Sequence, residues 1–412
     1  MTLTPTVVTS STAANTRLRT LIAVAAGLVL TALWAVVVNR VLWRQPMFFY
    51  PTRFQDLREH LGDFHLLVAG RDPYFIRLRL NDTTPPLVAL LYGTLTILHG
   101  SLRGLTVIGA NLLALSAVFT VTLRQVLRRR AAPLFVLSAA VLTPLTVLVV
   151  SGAVYSGLWW GQDQILVMAL FVIDLLVVPS RHRGYLIGLA AGILLAPACF
   201  ALLLLRPRPW AVLRAAGVFV ATAVAASLVN LHASSSYWFH LLPSGEAVRR
   251  VYFSSIGREG NSSLFAFAAR APFLHHVPST ALAYGLGAIM AGVGLSAAWW
   301  AQSQGHVVTA VAAVGLTTAT ISPVSWDHHW VWAVLLPVAA LELWASHRVV
   351  AVVSLAVIPV GFLRAYPLTR AIPTTDALVR NLVWSAPSLL MVVVLVTMCG
   401  GLWRTRAGEA SA

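Results

Sequence analysis

The chain contains no lysine: all 29 of its basic residues are arginine. That absence excludes Schiff-base and lysine-nucleophile chemistry outright. Charge of either sign is scarce, at 10% of residues, against about 25% in soluble proteins. There are only two cysteines. Cys199 and Cys399 both fall in apolar segments and read as small core hydrophobes rather than a disulfide or metal pair. The histidines lack the H-x-x-x-H or C-x-x-C partners of a zinc site, so no metal is expected. No internal repeat is evident, which weighs against an inverted-repeat transporter.

What remains is mostly oil. Hydrophobic residues make up 58% of the chain and mean hydropathy is +0.80. Long apolar runs recur along the whole length, so the expected fold class is an all-α integral membrane protein of about ten to twelve transmembrane helices. The runs are continuous rather than alternating, which argues against a β-barrel. The expected spans are roughly 21–42, 104–126, 133–150, 165–178, 210–231, 281–301, 307–321, 330–343, 349–362 and 382–403. Segments 86–98 and 184–205 are ambiguous, the first for its length and the second for Pro197.

Arginine distribution arbitrates the topology. If the two ambiguous segments enter without crossing, the clusters at 17–19, 128–130, 181–183, 206–208, 348 and 404–406 share the cytoplasmic side. A leader at 1–17 and a tail at 404–412 then flank one membrane domain at 18–403, the first helix being an uncleaved anchor. The external loops are about 43–85, 151–164, 232–280, 322–329 and 364–381, and they hold ten of the 13 carboxylates. The formal charge of +16 is spread over many short loops, which fits anionic membrane lipids rather than nucleic acid.

Polar residues concentrate in four external blocks. The first loop carries Asp56, Glu59, Asp63, Asp72 and Asp82, with His60 and His65 among them. A carboxylate at a dry membrane boundary drifts upward in pKa toward general-base range, and Asp56 is the candidate base for a sugar hydroxyl. Thr83 and Thr84 are candidate caps for the proline-led helix that follows. Gln162, Asp163 and Gln164 stand at the mouth of the next apolar helix, where backbone N–H groups favour anions and hydroxyls; simple capping by Asp163 competes with that reading. In Ser322–His329, Asp327 caps a helix whose first turn holds His328 and His329, either a phosphate-binding pair or interface residues among Trp326, Trp330 and Trp332. In the long loop, Arg258 offers a cation for phosphate, while Asn261 and Ser262 offer sugar-sized hydrogen bonds.

Read in order, Asp56-Leu57, Gly70 to Tyr74, Thr84-Pro85-Pro86, Gly161 to Gln164, Tyr237-Trp238, Asn261 to Leu264 and Ser322 to His329 resemble glycosyltransferase family 87 of the GT-C superfamily. The S-P-x-S-W-x-H-H stretch is the most specific piece. The resemblance implies a GT-C fold and an inverting glycosyltransferase that uses polyprenyl-phosphate-mannose. The implied acceptor is a lipid-anchored glycan such as a phosphatidylinositol mannoside. By residue, it implies Asp56 as base and His328 or His329 on the donor phosphate. The candidate substrate-binding residues are Asp72, Tyr74, His60, Gln162, Asp163, Gln164, Tyr237, Trp238, Asn261, Ser262 and Trp326, and no cofactor is expected. Two positions depart from the family pattern: Leu195-Ala196-Pro197 lacks the usual lysine, and Gln164 replaces an asparagine. The alternatives are an arabinofuranosyltransferase using decaprenyl-phosphoryl-arabinose and, in a different class, a glycolipid transporter. A transporter predicts ionisable residues at mid-membrane, and the apolar segments here are nearly free of them.

Overall fold

A computed structural model describes residues 54–75, 84–127, 151–205, 209–244, 260–271, 279–358 and 376–411. The described residues are helical, with no strand. In chain order the helices are α1 (Gln55–Val68), α2 (Pro86–Gly93), α3 (Gly100–Val126), α4 (Gly152–Trp160), α5 (Gln164–Leu176), α6 (Tyr185–Ile193), α7 (Ala201–Leu204) and α8 (Trp210–Ser227). They continue as α9 (Leu231–Ser235), α10 (Leu264–Arg270), α11 (Ser279–Ser303), α12 (Val307–Ile321), α13 (Leu336–Leu343), α14 (Arg348–Ala356), α15 (Ala377–Trp384) and α16 (Ala386–Ser411). A 3₁₀ stretch, Asp327–Leu335, leads directly into α13.

Four described stretches are long and apolar enough to cross a bilayer: Gly100–Val126, Trp210–Ser227, Ala281–Ser303 and Ala386–Arg404. A fifth is possible if α4 and α5, bent by 115° at their junction, count as one broken span. The expected spans at 21–42 and 133–150 lie outside the described residues, as do Asp82, Thr83 and Arg258. Several expected spans are shorter or broken. The 184–205 segment leaves the helix at Leu194, and the 330–343 segment is half 3₁₀.

α12 is buried on every side, packed between α11, α16, α13 and the 3₁₀ stretch. Small residues allow that proximity. A Cβ on Gly315 would fall 2.2 Å from the Trp332 ring, so the indole lies directly on the α12 backbone. α8 is mostly exposed along Leu213, Val220 and Val224, as a lipid-facing helix should be. Its inner side meets α6 at four-residue intervals. Added Cβ atoms at Gly184 and Gly188 would fall 2.2 and 2.3 Å from the carbonyl oxygens of Ala211 and Ala215, and one at Gly192 would fall 2.3 Å from Thr222 Oγ1. Small residues on one helical stripe let two backbones touch where lipid offers no hydrophobic drive for association.

Two deep carboxylates serve as helix caps. Asp174 accepts from the backbone of Gly184 (2.8 and 3.0 Å), Leu186 (2.8 Å) and Ile187 (3.0 Å), closing the start of α6. Glu342 accepts from Val308 N (3.3 Å), Thr309 N (2.8 Å) and Thr309 Oγ1 (2.8 Å) at the start of α12. Substituting Gly188→Leu should separate α6 from α8. Overpacking of this kind costs roughly 1–3 kcal/mol, and a lowered thermal melting midpoint in detergent checks it.

Candidate active site

The site is organised by the sharp turn Gly161-Gln162-Asp163 between α4 and α5. Gly161 has φ +76°, which favours glycine, and a Cβ there would also stand 3.0 Å from Leu57 Cβ. Three elements grip the turn. Tyr92 OH from α2 donates to Gly161 O at 2.8 Å. Asn111 Nδ2 from α3 donates to Gln162 O at 3.2 Å and to Val107 O at 2.9 Å. Phe54, itself left-handed at φ +54°, donates its N–H to Trp159 O at 3.0 Å and lays its ring against Gly104. A non-glycine residue in that conformation costs on the order of 1–3 kcal/mol and persists only where its surroundings enforce it.

This grip brings Asp56, in the first turn of α1, onto the turn. Gln162 Nε2 donates directly to Asp56 Oδ2. Asp163 follows and is buried at 8% exposure. Burial raises its carboxyl to about 7, opposed by its own backbone N–H and assisted by the charge of Asp56. It makes no side-chain cap bond to α5, so the capping reading fails. His60, one turn beyond Asp56, stacks on Tyr92 at 4.8 Å between ring centroids. Burial lowers His60 to about 4, so it is neutral at physiological pH. Among the described residues, His60 Nδ1 and Gln164 Oε1 are buried without hydrogen-bond partners. Buried polar atoms rarely go unsatisfied, which makes such groups candidates for ligand or water contacts.

The histidine pair packs against α4. A Cβ on Gly157 would sit 3.7 Å from His328 Cβ, so the histidine turn packs against α4, the helix that leads into the acid turn. The two imidazoles meet edge to face at 4.5 Å. They differ in their engagements. His329 Nδ1 accepts from Trp326 N–H at 3.2 Å, and a neutral ring accepting there carries its proton on Nε2. Burial lowers His329 to about 4, with the Val324 carbonyl opposing the shift. His329 therefore caps the 3₁₀ stretch, a role expected of Asp327; Trp326 is the cap residue. His328 is lowered well below its ordinary value by burial and by His329, and its Nδ1 has no partner among the described residues.

The turn holding the histidines is clasped by the Asn261-Ser262-Ser263 block. Asn261 Oδ1 accepts from Ser325 N at 3.0 Å, and its Nδ2 donates to Pro323 O at 3.3 Å. Ser262 Oγ donates to Ser325 O at 3.0 Å and accepts from Trp330 Nε1 at 2.7 Å. Ser263 Oγ donates to Pro323 O at 2.9 Å while capping α10. Asn261 and Ser262 are 0% and 1% exposed. Where sugar contacts were expected, these groups bond within the chain and position the histidine turn. Arg270, which sequence reasoning missed, extends the clasp: it donates to Asn261 O (2.9 Å), Asn381 Oδ1 (3.0 Å) and Ser385 Oγ (2.8 Å).

The remaining expected residues gather elsewhere, on another side of α2. Tyr74 and Tyr237 pack at 5.1 Å, and Tyr237 meets Trp238 edge-on at 4.8 Å. They share a small core with Leu67 and Ala89. Asp72 Oδ1 accepts from Tyr74 N at 2.9 Å, and Tyr74 OH donates to Thr84 O at 3.1 Å. Thr84 therefore braces this loop through its carbonyl; α2 starts at Pro86 with no side-chain cap. Arg258 lies outside the described residues. Tyr92 and Asn111 also went unread, though a lone asparagine within an otherwise apolar span was a usable signal.

A helical membrane protein that holds an acid on a helical break and packs a pair of imidazoles against the same α4 helix has the makings of a membrane-embedded enzyme. The sequence model of glycosyltransferase family 87 matches residues 83–323, more than half of the chain. The chain belongs to glycosyltransferase family 87 and is a glycosyltransferase. The matched stretch includes Tyr92, Asn111, the acid turn and the Asn261 clasp, and stops five residues before His328. Over 361 residues the chain is 27% identical to a polyprenol-phosphate-mannose-dependent alpha-(1-2)-phosphatidylinositol mannoside mannosyltransferase of Mycolicibacterium smegmatis, covering 81% of this chain and 79% of that one. A protein of the same description from Mycobacterium tuberculosis is 27% identical over 347 residues, 78% of each chain. A polyprenol-phosphate-mannose-dependent alpha-(1-2)-phosphatidylinositol pentamannoside mannosyltransferase of M. smegmatis is 31% identical over 195 residues, 46% of this chain and 43% of that one. No solved structure matches.

Replacing Ser262 with alanine should leave the buried Trp330 N–H without an acceptor. A loss of about 1–3 kcal/mol follows, visible as a lower thermal midpoint.

Proposed function

We propose that the chain transfers mannose from polyprenyl-phosphate-mannose to a lipid-anchored mannoside of the phosphatidylinositol mannoside type. The product linkage is α-1,2, and the reaction inverts at the anomeric carbon on the extracytoplasmic face of the plasma membrane. Family membership and the names of relatives matching about four-fifths of the chain support this donor and acceptor. The observation that carries the chemistry is the hydrogen bond from Gln162 Nε2 to the Asp56 carboxylate at the helical break. An amide orients an ionised carboxylate without protonating it, so Asp56 is held as a base.

In the reaction, Asp56 takes the proton from the attacking acceptor hydroxyl. The hydroxyl oxygen bonds to the anomeric carbon as the bond from that carbon to the phosphate oxygen breaks. The electron pair leaves with polyprenyl phosphate. Attack from the opposite face turns a β-linked donor into an α-linked product. Negative charge grows on the leaving phosphate, where N–H donors in a dry site stabilise it. His328 fills that role, because its ring is the one that the local backbone does not engage. His329 positions it, and Arg258 contributes positive charge. His60, Gln162 and Gln164 border the sugar, Asp163 adjoins the base, and Asp72, Tyr74, Tyr237, Trp238 and Trp326 support the surrounding loops. The reading uses no metal and no cofactor.

The test is transfer in membranes from radiolabelled polyprenyl-phosphate-mannose to a panel of phosphatidylinositol mannosides. Product from one of them is expected; a chain that transfers to none overturns the reading. Asp56→Asn should cut turnover by roughly 10²–10⁴-fold at unchanged expression, and near-wild-type turnover would remove Asp56 as base. His328→Ala should slow transfer at an unchanged melting midpoint. His329→Ala should lower both, because it also removes the cap.

A further inference from the structure

Two carboxylates meet at the acid turn, and the proposed mechanism uses one of them. Asp163 is buried in the connector between α4 and α5, next to the residue whose amide holds Asp56. It does not cap α5, and its burial is not offset by the multiple N–H donors that Asp174 and Glu342 receive. The charges of Asp56 and Asp163 both act on Tyr92, whose phenol is pushed upward first by burial, then by Asp163, then by Asp56. All three groups therefore lie within one another's electrostatic reach.

The substrate chemistry makes the second charge matter. The donor carries an anionic phosphodiester. A site that already holds one ionised base gains affinity for that donor if its neighbouring acid is neutral, and loses it if both acids ionise. We infer that Asp163 is a positioning residue that works in its protonated form, keeping the acid turn at a single negative charge so that it admits an anionic donor. This inference rests on the transfer reading above and adds a residue and a pH dependence to it.

Each element packed around the acid turn brings its own polar groups to it. α1 brings Asp56, with His60 and Asp63 further along it, and α2 brings Tyr92. α3 brings Asn111, which does not titrate, and the 3₁₀ stretch brings His328 against α4. His60 and His328 are held neutral by burial, so neither supplies a counter-charge near neutral pH. Asp163 itself titrates at about 7. The sign follows directly: below that value the acid is neutral and the donor binds, and above it the competent fraction falls.

The experiment measures donor KM against pH for wild type and Asp163→Asn, using the full-length protein in vesicles. If only the neutral form admits donor, apparent KM rises in inverse proportion to the neutral fraction, roughly tenfold from about pH 6 to about pH 8. Asp163→Asn should retain transfer and show a flat donor KM over that range, whereas Asp163→Glu should keep a rise. Superimposable pH profiles for wild type and Asp163→Asn overturn the inference. So does an Asp163→Asn protein that is folded, inactive at every pH and rescued by Asp163→Glu, because that outcome demands the charged carboxylate. If Asp163→Asn does not fold, wild type alone decides: donor affinity that fails to weaken above neutrality overturns the proposal. Wild type that transfers no mannose at any pH instead refutes the proposed function, so the two failures are distinguishable.

Discussion

The geometry of the candidate site depends on one backbone event, the 115° change of direction between α4 and α5. A bend of that size exposes carbonyls and N–H groups that a straight span would pair internally. Here they are matched from outside the bent pair. The Gly161 carbonyl takes the Tyr92 hydroxyl, the Gln162 carbonyl takes the Asn111 amide, and the Trp159 carbonyl takes the Phe54 N–H. Each donor comes from a different element, so the turn acts as a joint at which α1, α2 and α3 converge. Asp56 reaches the turn because Phe54 and Leu57 on either side of it are already packed against Gly161.

The histidine turn follows the same logic with different materials. Ser322 to Ser325 leaves α12 in extended backbone, and its carbonyls need donors. The Asn261 block supplies them almost completely, with Ser262 shared between the Ser325 carbonyl and the Trp330 indole. The reach of this clasp in sequence, some sixty residues, fixes residues 261–263 to the opening of the 3₁₀ stretch. Arg270 then ties the clasp to α15 and α16 through Asn381 and Ser385. Side chains that look like sugar contacts in the sequence thus become scaffold, because they are the nearest donors and acceptors for an irregular backbone that cannot satisfy itself.

Helical character and the location of polar blocks were legible in the sequence, because apolar runs of bilayer length and clusters of charge are local properties. Gln162 and Asp56 were legible as important, and their direct contact was not, since the pairing spans 106 residues. The broken segments were the least readable. Residues 330–343 carry a continuous apolar pattern that suits a helix, yet their first half is wound as 3₁₀ while Trp332 is pressed onto Gly315. Packing against α12 overrode local preference there. Tyr237 and Trp238 pack with Tyr74 around a small satellite core, a contact across some hundred and sixty residues that no local pattern announces.

Three acids at helix starts, Asp174, Glu342 and Asp163, show how carboxyl groups are put to different uses. Asp174 and Glu342 sit where α6 and α12 begin, and their carboxyl oxygens accept from the free backbone N–H groups there. Such acids hold the fold together and give no reason to expect chemistry. Asp163 also stands at the start of a helix and is buried there, but its carboxylate does not cap that helix, and it faces a second acid. The cheapest way for a buried acid to tolerate that position is to keep its proton. Asp174 and Glu342 bond to the backbone of the helices whose starts they close, whereas Asp163 makes no side-chain bond to the helix it precedes and stands beside the residue that holds Asp56.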